Sequence, residues 1–137
     1  MLQYQIALTL LPGIGPKTGR QLVAYCGGVE AVFKEKPQNL LKIPGIGKEI
    51  ARSVSQQKVL MRAEQEIRFI ENQQITPLFY LEKHYPLRLK HCADAPLMLY
   101  YKGNANLNTA KIVAIIGTRK ASEYGKSVCE QLVQDLS

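Results

Sequence analysis

Two stretches of this sequence carry residue types that can hold an anion. Leu11-Pro12-Gly13-Ile14-Gly15 recurs as Ile43-Pro44-Gly45-Ile46-Gly47, an offset of 32 residues from Gly13 to Gly45, and a lysine, Lys17 or Lys48, follows each copy. Glycine permits positive φ and close approach, so turn amides and the free N–H groups of a helix behind them converge on one phosphate oxygen. The helix dipole strengthens that attraction and the lysine supplies a nearby cation. Such a grip reads the sugar-phosphate chain and not the bases. The second stretch is Gly117-Thr118-Arg119-Lys120-Ala121-Ser122, which follows the apolar run Ile112-Val113-Ala114-Ile115-Ile116. It places a forked guanidinium, Arg119, and a second cation, Lys120, in a short loop, with Ser122 positioned to cap the next helix.

Both stretches need helices behind them, and the spacing of apolar residues supplies these. Ile6, Leu10 and Leu11 share a helical face, Pro16 suits a first helical turn ahead of Leu22 and Val23, and Gly27-Gly28 ends that helix. Short helices are predicted through Val29, Val32 and Phe33, then from Pro37 with Leu40, Leu41 and Ile43, then, after Pro44-Gly45, through Ile50 and Val54. A longer one carries Val59, Ala63, Ile67 and Ile70, and the helical domain is expected to end near Asn72. From Gln73 the pattern changes: 75–80 and 97–101 read as short strands rich in β-branched and aromatic residues. Residues 112–116 form a continuous apolar run, as in a strand buried on both faces of a parallel sheet, and Tyr124, Val128, Leu132 and Leu136 mark a helix packed upon it. A doubly wound sheet needs several more strand–helix units, so residues 73–137 read as the opening of an unfinished α/β domain and the chain as a fragment.

Charge and composition narrow the function classes. The 137 residues include 18 Lys and Arg against 11 Asp and Glu, a formal net charge of +7, which favours polyanionic partners. The excess is densest at the front, where residues 1–55 hold seven basic and three acidic side chains. Cys26, Cys92 and Cys129 are odd in number and far apart, which suggests neither a disulfide framework nor a zinc site and fits a reducing cytosol. No stretch approaches the roughly 18 apolar residues of a membrane span. His84, His91 and Cys92 lack metal-ligand spacing and read as surface and packing residues. Tyr80, Tyr85, Tyr100 and Tyr101 could stack on bases, but strand aromatics more often fill cores. Neither a dinucleotide fingerprint nor a P-loop is present, no catalytic constellation is readable, and no cofactor is indicated. The bland readings are that the glycine turns only connect antiparallel helices, or dock a protein, and that Arg119 and Lys120 are solvated loop charges.

The doubled apolar-Pro-Gly-apolar-Gly turn is similar to the helix-hairpin-helix family. Beyond it, Tyr85-Pro86-Leu87, Asp94-Ala95-Pro96-Leu97, Lys102-Gly103 and Ala114-Ile115-Ile116-Gly117-Thr118-Arg119, with Ser122 and Tyr124-Gly125, resemble in order the blocks of the DNA-processing protein A (DprA/Smf) family. That family usually has Gly-Ser-Arg where this chain has Gly117-Thr118-Arg119. The resemblance implies an α+β multidomain chain, with an all-α tandem helix-hairpin-helix domain at 1–72 and the first part of a Rossmann-like domain at 73–137. It implies a cytoplasmic, non-enzymatic protein that binds and protects single-stranded DNA and loads the RecA recombinase in natural transformation, with a homodimer possible for the whole protein. Gly117, Thr118 and Arg119 match the family's phosphate-binding motif, while Lys120 and Ser122 join them on geometry. Gly13, Gly15, Lys17, Gly45, Gly47 and Lys48 are the candidate hairpin contacts, expected to meet phosphates symmetrically about a pseudo-twofold. The rival classes are a nucleotide-hydrolysing enzyme of the phosphoribohydrolase type and a helical protein-interaction module.

Overall fold

A computed structural model describes residues 1–136. Six helices come first: α1 (Leu2–Leu10), α2 (Pro16–Cys26), α3 (Val29–Lys34), α4 (Pro37–Leu40), α5 (Lys48–Gln56) and α6 (Val59–Asn72). They are followed by β1 (Thr76–Phe79), α7 (Leu87–Lys90), β2 (Met98–Tyr101) and α8 (Glu123–Leu136). The breaks fall where the backbone chemistry demands them. Pro16 opens α2, where its missing N–H costs nothing, and Gly27 closes it at φ +81, a left-handed cap that a side chain would resist. Pro37 opens α4 in the same way.

Helix α1 is the centre of the molecule. Gln5, Ile6, Ala7 and Leu8 are consecutive and all buried, so neighbours surround this helix instead of facing one side of it. It packs on α6, α3 and β2. Gln5 is a polar side chain carried inside on this helix, and its amide donates to the Glu82 carboxylate at 3.2 Å. Strands β1 and β2 pair antiparallel, with Thr76 opposite Tyr101 and Phe79 opposite Met98. The buried cluster that begins at Ile6 continues through Leu22, Val54 and Ile70 to Phe79, Leu97 and Met98, so the strand pair shares a core with the helices. Tyr85 is fully buried beneath it and donates its hydroxyl to the Pro96 carbonyl at 2.6 Å. No helix among the described residues is long and apolar enough to cross a membrane.

The expected buried strand at 112–116 is not formed, and this is the main correction to the sequence reading. The segment has no regular structure, and Val113 and Ile116 are 63% and 92% exposed. A strand buried on both faces needs partners on either edge and helices above and below. Among the described residues the sheet has two antiparallel strands, β1 and β2, and neither pairs with 112–116. The following helix does form, and its Val133 and Leu136 line an open cleft with Lys111, Val113 and Ile115, but none of its residues is buried. The Rossmann-like sheet is therefore absent from the described residues.

Helix α8 relies on its own end for stability. The Ser122 hydroxyl accepts the Gly125 N–H at 3.1 Å, and Lys126 pairs with Glu123 at 2.6 Å. Ser122→Ala should cost about 1 kcal/mol of helix stability; with no burial to hold α8, far-UV circular dichroism should report a loss of helix without a change in the main melting transition. Gly45 sits at φ +78 with no heavy atom within 4 Å of an added Cβ, so Gly45→Ala meets backbone strain alone. That strain is about 1 kcal/mol, and a Tm lowered by roughly 4 °C is the expected reading.

Candidate nucleic-acid interface

The two hairpins are built alike. In each, a Pro-Gly pair forms a tight turn closed by an amide three residues on: Ile14 N–H donates to Leu11 O at 3.3 Å and Ile46 N–H to Ile43 O at 3.1 Å. Gly13 at φ +77 and Gly45 at φ +78 occupy the position where a type II turn requires positive φ. Gly15 and Gly47 are then extended and cap α2 and α5, whose first helical bonds are Gly19 N–H to Gly15 O at 2.9 Å and Ala51 N–H to Gly47 O at 3.1 Å. Amides ahead of those bonds have no partner within their helix.

Their surroundings differ. At the repeat offset Pro16 corresponds to Lys48 and Lys17 to Glu49, so the first helix start lacks an N–H that the second has, and the second carries a carboxylate where the first has a cation. The two turns therefore share a backbone geometry, while the charges around them differ. Lys17, Lys48 and Glu49 are all exposed. A Cβ added at Gly15, Gly45 or Gly47 would meet nothing within 4 Å, whereas one at Gly13 would meet Ile50. The first hairpin lies beside the strand pair: Ile14, Gly15 and Pro16 share a small groove with Pro96, Leu97, Met98 and Tyr100. Ile50 of α5 stands beside Gly13, its Cγ1 3.9 Å from where a Cβ would lie, and the Gln21 amide of α2 donates to Pro44 O in the second hairpin at 2.7 Å.

What seats the strand pair on α2 escaped the sequence reading. Gly19 is buried in the helix, and a Cβ there would come within 2.3 Å of Leu97 Cδ1, so only glycine lets Leu97 lie against the backbone. Next to it, Arg20 donates to Cys92 O at 3.2 Å and Ala95 O at 3.3 Å and stands 5.1 Å over the Tyr80 ring. The available signal was a glycine inside a helix, which usually marks a close approach.

The other candidate residues stand apart. Gly117, Thr118, Arg119, Lys120 and Ser122 are all exposed, and the loop's hydrogen bonds stay local. Thr118 donates its hydroxyl to Lys120 O at 2.9 Å, and Ser122 is occupied as the α8 cap. His84, His91 and Cys92 do not assemble, and no metal-binding cluster occurs among the described residues. Of the four tyrosines, Tyr85 lies in the segment between β1 and α7 and fills the core, whereas Tyr100 on β2 is 51% exposed and lines the groove beside the first hairpin.

Comparison with known proteins matches both halves of the chain in order. Residues 6–57 match a family described as a SAM-like helix-hairpin-helix tandem, and residues 76–137 one described as DNA recombination-mediator protein A. Among curated proteins, UPF0758 protein Bpet3149 of Bordetella petrii is 28% identical over 94% of this chain and 60% of its own length. DNA processing protein DprA of Streptococcus pneumoniae is 36% identical over 48% of this chain and 23% of its own, and UvrABC system protein C of Acinetobacter baumannii 38% over 34% and 8%. The chain thus spans less than two thirds of each of these relatives. No solved structure matches. A doubled glycine hairpin thus leads into a recombination-mediator segment: the front of the chain is similar to helix-hairpin-helix tandems and its second half to the DNA recombination-mediator protein A family.

Proposed function

We propose that this chain is a DNA-binding unit without catalytic activity, which holds the phosphodiester backbone of single-stranded DNA. In the whole protein that activity would protect incoming strands and load the RecA recombinase, with DNA and recombinase as its partners and a homodimer as its working form. The observation that carries the reading is the second hairpin, where a type II turn and a helix start with open surroundings stand next to Lys48. Amides aimed outward from a helix start, with a cation at hand, suit a phosphate and offer nothing to a base edge. The exposed Gly117-Thr118-Arg119-Lys120 loop adds a second cationic point, with a guanidinium able to fork onto phosphate oxygens. The net charge of +7 and the match to a recombination-mediator family support the same partner.

Binding of this kind releases counterions, so its signature is salt dependence. Fluorescence anisotropy of a labelled oligothymidylate over a salt series should show affinity falling steeply as salt rises. Lys48→Ala and Arg119→Ala should each weaken binding and flatten the slope of log affinity against log salt by about 0.7, the single-strand value for one phosphate contact. Affinity that ignores salt, or both variants matching the parent chain, would remove the assignment.

A further inference from the structure

The groove beside the first hairpin is unlike the open surface of the second. Its volume is about 200 Å³, well below the roughly 300–1,000 Å³ of a site for a drug-sized molecule. One side is the first hairpin, Ile14, Gly15 and Pro16; the other is Pro96, Leu97, Met98 and Tyr100. Met98 and Tyr100 are two apart on β2 and so share a face of the strand, which is why both reach the groove. The walls are mostly apolar, and the Tyr100 ring is half exposed in a molecule whose Tyr85 is buried completely. Thr9 also lines the groove; it donates its hydroxyl to Ile6 O at 2.7 Å and is hydrogen-bonded with the Tyr100 side chain, so the hydroxyls of both are engaged within the fold. Lys17, the neighbour of the lining residue Pro16, is exposed.

We infer that this groove holds one unpaired nucleobase, stacked on Tyr100, while the attached phosphate lies near Lys17. The inference rests on the proposal that the chain binds single-stranded DNA, and it adds a contact that reads the presence of a free base. The size admits a single flat ring system. A base pair inside a duplex keeps its faces covered by its neighbours, so only an unpaired base can offer a face to Tyr100. Lys17 complements the phosphate charge, and apolar walls suit a ring with one polar edge. Burial and the Glu66 carboxylate raise the Tyr100 pKa, against a hydrogen bond with Thr9 that lowers it. Leu97, which lines the groove, lies against α2 at Gly19, so the base contact sits where the helical region and the strand pair are joined.

The test uses the whole 137-residue chain, a labelled oligothymidylate, an abasic oligomer of equal length and a duplex of equal length. Tyr100→Ala should weaken oligothymidylate binding on the order of tenfold, whereas Tyr100→Phe and Tyr100→Trp, which keep a ring, should bind as the parent does. The abasic oligomer should bind the parent and Tyr100→Ala equally. Tyr100→Ala binding oligothymidylate as well as the parent, losing as much affinity for the abasic oligomer or the duplex, or failing to be rescued by the two aromatic variants would each overturn the inference. If Tyr100→Ala is without effect while Lys48→Ala and Arg119→Ala weaken binding, the groove is wrong and the backbone contacts stand. If the parent chain binds no oligothymidylate, both fall together.

Discussion

The arrangement of this molecule depends on a contact between a leucine side chain and a helix backbone. Leu97 lies against α2 at Gly19, where a single methyl group would collide with it. That contact brings β2 against the helices, and the strand pair then completes the shell around α1, whose four consecutive buried residues need cover on every side. Arg20 fixes the same joint by a different physics, two hydrogen bonds to carbonyls and a ring beneath its charged head. Its Nε is buried without a partner, so this joint retains one unsatisfied donor. Packing and polar contacts thus act on neighbouring residues of one helix turn, and the position of the first hairpin relative to the strands follows from both.

That joint also explains why two hairpins with the same turn geometry have different surroundings. The turn is a property of Pro-Gly and repeats faithfully, with φ values of +77 and +78. The environment is a property of tertiary packing and does not repeat. The first hairpin became part of a junction, while the second remained on an open face with Lys48 beside it. Duplication supplied two equivalent turns, and the attached strand pair made them inequivalent.

The helical part of this fold was legible because its signals are local. Pro16, Gly27 and Pro37 act on their own backbone, and helix limits such as Asn72 follow from short-range patterning. Strands β1 and β2 were legible for the same reason, as short runs of β-branched and aromatic residues. The apolar run at 112–116 was misread because a continuous hydrophobic stretch reports a demand for burial, not its fulfilment; edges to pair with lie elsewhere in space. In the candidate interface, the glycines and lysines could be found by spacing, whereas Tyr100 could not be separated from the core tyrosines. Its exposure depends on where β2 comes to rest, which Gly19 decides from nearly eighty positions away in the chain.

Between β2 and α8 the chain runs for some twenty residues with little regular structure, most of it exposed. Lys102, Lys111, Arg119 and Lys120 all lie on this stretch, where the backbone can enter a protease cleft without unwinding a helix or unzipping a strand. Trypsin acting on the native chain therefore meets its most accessible bonds here. Brief digestion should release α8 as a separate peptide and, after cleavage behind Lys102, leave residues 1–102 as a compact remnant, with both glycine hairpins and their junction to the strands retained.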